Sequence, residues 1–181
     1  MKFSNYDKFK ETKILRASEM MRYANRSKIK QESVATHSFF VAANCYTIYN
    51  LYPEIKEKDF QSAVMYAVIH DIGEVGTSDL PYNFKYSVPG LKELLDKGEE
   101  KFIKEEFNEF HRTFLQFQDA EEKQLIPYLI VKMADIGSVI QYSQNEINLG
   151  NTSNDMQEIL DGAIDRFVQF EQKLKNALEE Q

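Results

Sequence analysis

His70 and Asp71 stand side by side in Tyr66-Ala67-Val68-Ile69-His70-Asp71-Ile72-Gly73-Glu74, an apolar helical stretch that would otherwise be core. Burying an ionisable pair without a partner costs on the order of several kcal/mol, so the pair needs a reason. A bound divalent cation is a sufficient one, because it supplies positive charge and fixes both side chains. Two further ligand types occupy similar settings, His37 in Val34-Ala35-Thr36-His37-Ser38-Phe39-Phe40 and Asp135 in Ile130-Val131-Lys132-Met133-Ala134-Asp135-Ile136. Each polar residue lies on its own apolar segment. The fold must therefore gather those segments around one point.

Imidazole nitrogen and carboxylate oxygen suit borderline-hard divalent ions such as Mn²⁺, Co²⁺, Fe²⁺ or Zn²⁺, and the identity is left open to Ni²⁺ and, through the carboxylates, Mg²⁺. Two His and two Asp leave two positions of an octahedron for water and a substrate oxygen. Adjacent helical residues diverge by about 100°, so His70 and Asp71 meet one ion only at a helix end or a local distortion. Gly73 and Gly76 supply the means for one. Taken singly, His37 and His70 read as core histidines bonded to carbonyls, and Asp135 as a buried partner of Lys132 or Arg22. All four together, in this order and this apolar setting, are better explained by a metal.

The chain has 181 residues, 43% of them hydrophobic, enough for one domain (1–181) with a proper core. A net charge of −7 argues against a nucleic-acid surface, which needs a basic stripe. A small anionic substrate fits, because a metal and one or two arginines reverse the potential locally. The single Cys45 excludes an intramolecular disulfide and fits a reducing cytoplasm. Neither a secretory leader nor an apolar run of the ~20 residues a membrane span needs is visible. The expectation is a soluble cytoplasmic protein without membrane or nucleic-acid partners; a homodimer is compatible with the sequence.

Seven Gly and four Pro leave few breakers, and between them the sequence reads helical throughout. The patterning predicts about six helices: 6–23; 33–49, with Ser33 as N-cap and apolar residues all round, as in a central helix; 58–70; 90–115; 119–148, with Asp119 as cap and Pro127 either tolerated near the first turns or kinking the helix; and 155–179. The fold class is a compact all-α bundle.

The residues now in view carry a resemblance. His37, His70-Asp71 and Asp135 resemble the H…HD…D signature of the HD-domain metal-dependent phosphohydrolases. The likeness extends to the YfbR-like 5′-deoxynucleotidase branch at Arg22-Tyr23, Glu32-Ser33-Val34-Ala35-Thr36-His37-Ser38, His70-Asp71-Ile72-Gly73-Glu74-Val75, Asp79-Leu80-Pro81 with Lys85-Tyr86, and Val131-Lys132-Met133-Ala134-Asp135. The resemblance implies an HD-domain helical bundle with one divalent ion on His37, His70, Asp71 and Asp135. It also implies a catalytic role for Glu74 beside the metal, a nucleotide site lined by Asp79, Leu80, Pro81 and Tyr82, and sugar contacts from Arg22 and Tyr23. The implied reaction removes phosphate from 2′-deoxyribonucleoside 5′-monophosphates. A deoxynucleoside triphosphate triphosphohydrolase and a non-catalytic nucleotide-binding module are the alternatives. Three departures bear on substrate choice: Tyr23 stands where the branch usually has Trp, Thr36 where it usually has Glu, and Tyr82-Asn83 where Thr-Pro is common.

Glu74 lies one helical turn beyond His70, so it falls on the same face if the helix continues. There it would orient water as a base or protonate the leaving oxygen as an acid; solvent exposure at a helix end is the ordinary alternative. Asp79 shares the acid role or caps the Leu80-Pro81 turn. Arg22 offers a planar fork and Tyr23 a flat face. Arg26, Lys28, Lys30 and Lys85 are further candidates for phosphate binding, with solvation as their default. His111, in an acidic stretch, is not expected to be a ligand.

Overall fold

The structure is a computed structural model that describes residues 13–78, 80 and 82–180, with the backbone alone at 82 and 83. Asp79 and Pro81 lie outside the described residues. The helices are α1 (Arg16–Glu19), α2 (Val34–Leu51), α3 (Glu57–Ile69), α4 (Glu74–Thr77), α5 (Tyr82–Lys85), α6 (Leu91–Glu106), α7 (Asn108–Glu122), α8 (Ile126–Asn148) and α9 (Asn154–Glu179). Six are long and three are single turns. Among the described residues there is no strand, only an isolated antiparallel bridge between Met21 and Ser33. No described helix is long and apolar enough to cross a membrane.

Local chemistry sets several boundaries. Ser33 caps α2 by accepting a hydrogen bond from the Thr36 amide at 3.1 Å, satisfying one of the donors a helix start leaves open. Pro127 sits in the first turn of α8, where its missing N–H costs nothing. Three expectations need correction. The segment after Glu19 is not helical: the Arg22 amide donates to Glu32 O (2.8 Å) and the Val34 amide to Met20 O (2.9 Å), so pairing with a distant strand-like segment replaces helix. The remainder of the expected 6–23 helix, residues 6–12, lies outside the described residues. Asp119 falls inside α7, which runs on to Glu122 before Gln124 turns the chain at φ 50°. The charged stretch after Gly90 breaks at Phe107, whose fully buried ring packs between Phe102 and Phe110.

The central element is α8, which buries Ile130, Val131, Met133 and Ala134 and packs against α2, α3, α7 and α9. The apolar all-round pattern of α2 does not make it central: Phe39 and Tyr46 are 68% and 57% exposed on its outer side. Two apolar clusters make the core. One joins Val41, Cys45, Ala67, Leu129 and Ala134; the other joins Ala17, Val34, Ile69, Ile72, Val75 and Phe107. The candidate site lies on their seam. His37 falls between Val34 of one cluster and Val41 of the other, and His70 follows Ala67 and Ile69, again one from each.

Candidate metal centre

Helix α3 ends at Ile69, and the next residues tighten into turns closed by Ile72 N–H to Ile69 O (3.0 Å) and Glu74 N–H to Asp71 O (3.0 Å). This is the distortion that adjacent ligands require, and it brings His70 Nε2 within 3.4 Å of Asp71 Oδ2. Close packing of α6 explains the glycines beside it. A Cβ on Gly73 would lie 2.8 Å from Glu99 Cβ, and one on Gly76 would lie 2.7 Å from the Phe102 ring.

Both imidazoles present Nε2 to one point when Nδ1 carries the proton. His70 Nδ1 lies 2.8 Å from the Ala67 carbonyl oxygen and His37 Nδ1 lies 2.9 Å from Ser138 Oγ. Each Nε2 is buried without a hydrogen-bond partner among the described residues. His37 Nε2 is 3.2 Å from Asp135 Oδ1 and 3.5 Å from Asp71 Oδ2. One ligand atom from each of His37, His70 and Asp135 falls within 4.8 Å of the others. Two orphaned buried nitrogens facing Asp135 make a His/His/Asp donor set that fits a single divalent cation, with Asp71 Oδ2 alongside.

Burial, followed by the Arg22 charge, lowers the His37 pKa and keeps the ring neutral, the form that ligates. Burial alone would raise both aspartates. For Asp135 the Lys132 ammonium outweighs it and holds the carboxyl well below its ordinary range. For Asp71, His70 and then Arg22 do so, leaving its pKa at about 2. Lys132 Nζ bonds Asp135 Oδ2 at 2.9 Å, so Asp135 has both the structural partner expected of it and a second oxygen facing His37. His70 likewise bonds a carbonyl, yet only through Nδ1.

Arg22 reaches the cluster from the loop before α2. Its Nη1 donates to Asp71 Oδ2 at 2.5 Å, and its Nε lies 3.4 Å from Glu32 Oε2. The guanidinium sits 5.6 Å from the Tyr23 ring centroid. Tyr23, in the left-handed region at φ 55°, stacks on Tyr142 with centroids 4.6 Å apart and planes 4° from parallel. The loop from Tyr23 to Glu32 is tied to α8. Tyr142 O–H donates to the Lys30 carbonyl at 2.7 Å, and the buried Glu146 carboxylate accepts from the Ile29 and Lys30 amides at 2.6 and 2.7 Å. Sequence reasoning did not single out Ser138, Tyr142 or Glu146. Their signal was available: with Asp135 they follow helical spacing along one buried face of α8.

Glu74 starts α4 rather than continuing α3, and it is buried, its Oε1 accepting from Lys85 Nζ at 3.0 Å. Leu80 is half-buried, and Tyr82 opens α5. Arg26 is bonded to Asp155 and Lys28 to the Tyr23 carbonyl. His111 Nε2 lies 3.6 Å from Glu100, outside the cluster.

Comparison with known proteins agrees with this fold. The family described as 5′-deoxynucleotidase YfbR-like matches residues 11–179. A 5′-deoxynucleotidase of Photobacterium profundum is 26% identical over 148 residues, covering 76% of this chain and 74% of the relative. An HD-domain phosphohydrolase of Listeria innocua superposes with a TM-score of 0.74 at 20% identity, over 97% of this chain and 86% of that one. The cyanophage S-2L HD phosphohydrolase DatZ, solved with dA and one catalytic Zn²⁺, gives a TM-score of 0.68 at 17% identity, over 98% and 95%. The chain therefore belongs to the YfbR-like 5′-deoxynucleotidase family and is a metal-dependent HD-domain phosphohydrolase acting on nucleotides.

Proposed function

We propose that the protein hydrolyses the 5′-phosphomonoester of 2′-deoxyribonucleoside monophosphates. The observation that carries this reading is the Arg22–Asp71 contact: the residue pair associated with deoxyribose selection in the branch is attached directly to a candidate metal ligand. His37, His70, Asp71 and Asp135 would hold the ion. A divalent ion in such a site supplies Lewis-acid activation of water and of a phosphoryl oxygen.

The protein's own groups do the remainder. Glu74, buried and with its amide bonded to the Asp71 carbonyl oxygen, holds or delivers the proton that water loses and the leaving 5′-oxygen gains. Arg22 keeps Asp71 in place and borders the sugar, and Tyr23 gives that sugar a flat wall, itself backed by Tyr142. The cations bordering the cluster are each matched by a carboxylate: Arg22 with Asp71, Lys132 with Asp135, Lys85 with Glu74.

The test is to incubate the protein with dNMPs, NMPs and dNTPs under several divalent metals and to quantify phosphate, pyrophosphate and triphosphate separately. Phosphate from dNMPs is expected. Triphosphate released from dNTPs, with dNMPs inert, would establish the triphosphohydrolase alternative. Binding without turnover of any of them would establish the non-catalytic one.

A further inference from the structure

Four basic side chains flank the motifs, and the structure separates them. Arg26 is bonded to Asp155 at 2.9 Å, and Lys28 to the Tyr23 carbonyl at 2.7 Å. Lys30 engages α8 through its main chain. Of these four, Lys85 is the one whose cationic head reaches a carboxylate of the site, with Nζ 3.0 Å from Glu74 Oε1. We propose that Lys85 binds the phosphoryl group of the substrate, and that its bond to Glu74 is the resting arrangement of a phosphate subsite. The inference rests on the reading that the substrate is a phosphomonoester.

Three observations carry it. The pair is asymmetric: the Glu74 side chain is 8% exposed and that of Lys85 is 22% exposed, so the ammonium is the member open to an arriving ligand. Lys85 is also tied to the segment that carries the candidate ligands, since the amide of its partner Glu74 donates to the Asp71 carbonyl oxygen at 3.0 Å. Finally, an ammonium has three donors, and one suffices for Glu74. Lys85 can keep that bond while turning the others to phosphate oxygens, placing phosphate and the proton-transferring carboxylate side by side. A dianion arriving among carboxylates needs such a cation, and Lys85 is bonded to Glu74, whereas Arg22 and Lys132 are bonded to candidate metal ligands.

A structural role for the ion pair, pinning α5 to α4, makes a different prediction. It lowers the melting temperature of a Lys85 variant and leaves phosphate affinity alone. The experiment titrates inorganic phosphate into metal-loaded wild type, Lys85→Ala and Lys85→Arg by calorimetry, and measures KM for a dNMP in each. Metal content is checked in every sample. Loss of one charge-assisted hydrogen bond should weaken phosphate binding and raise KM by roughly 10–100-fold in Lys85→Ala, with Lys85→Arg recovering most of the loss. Should Lys85→Ala not fold, Lys85→Gln keeps the stem and carries the same readout. Phosphate affinity and KM equal to wild type would overturn the proposal, whatever happens to the melting temperature, and so would a wild type that binds no phosphate. Phosphate binding that depends on Lys85 in a protein releasing none from dNMPs would uphold the subsite and remove the monophosphate reading.

Discussion

Arg22 donates to the Asp71 carboxylate at 2.5 Å across 49 residues of sequence, so a loop residue steadies a candidate metal ligand at the end of a helix. Both side chains are largely buried, and the contact ties the loop before α2 to the cluster. Arg22→Ala leaves Asp71 and Glu32 without their cation. Removing one partner from a buried pair costs about 3–5 kcal/mol, so the variant should melt lower. It should also lose dNMP turnover and narrow the gap between dNMP and NMP, a gap expected to be of order 10²-fold from pocket shape alone. Rates for dAMP and AMP in both proteins give the answer. A variant that keeps the full preference removes Arg22 as selector.

Asp71→Ala should lose both metal and activity while retaining helix content, because the turn after Ile69 is closed by main-chain bonds. Elemental analysis and circular dichroism on one preparation separate these outcomes. Full metal occupancy in the variant would confine the ligand set to His37, His70 and Asp135.

Glu74→Ala should keep the metal and lose roughly 10²–10⁴-fold in turnover, the usual share of general acid–base participation. A rate within about threefold of wild type would return Glu74 to a structural role as the partner of Lys85.

The convergence of His37, His70, Asp71 and Asp135 was legible because each is an ionisable residue in an apolar segment, a placement that is costly without a partner. The start of α2 was legible too, through Ser33, whereas that of α8 was expected at Asp119 and lies at Ile126, just before Pro127. The break at Phe107 was not legible either. It carries neither Gly nor Pro, and its cause is tertiary: burial of the ring among Ile69, Ile72 and Val75 decides where α6 ends. The non-helical course of Met20–Arg22 depends on pairing with Glu32–Val34, which local periodicity does not register. Glu74 opens a turn of its own rather than continuing the helix that leads to His70, and its bond to Lys85 had no sequence signal, although Lys85 was among the candidates for phosphate binding. The polar residues of α8 were a missed opportunity, since Ser138, Tyr142 and Glu146 extend the spacing of Asp135 along a buried face.

Ser138→Ala should weaken metal binding without unfolding the protein. The hydroxyl accepts from His37 Nδ1 in the tautomer that leaves Nε2 free to ligate. Removing such a supporting bond typically costs about 10–100-fold in metal affinity. Competitive titration with a metal-binding dye compares the two proteins. Equal affinities would show that burial alone orients the ring.

Glu146→Gln tests the tie between the Arg22 loop and α8. Burial would raise the Glu146 pKa, but the Ile29 amide, the Asn151 side chain and the Lys30 amide outweigh it and lower the value. A carboxylate with a folded pKa below its unfolded one contributes stability that is fully present above the unfolded value, ~4.3, and is lost as pH falls through the folded value. Wild type should therefore melt above Glu146→Gln at pH 7, and the difference should shrink as the pH falls below about 4. The variant's amide still accepts one bond but cannot offer a carboxylate to three donors, so the loop carrying Arg22 and Tyr23 should loosen. KM for dNMP should then rise more than kcat falls. A melting difference that stays constant from pH 7 to pH 3 would mean that the charge of Glu146 is not what secures the loop.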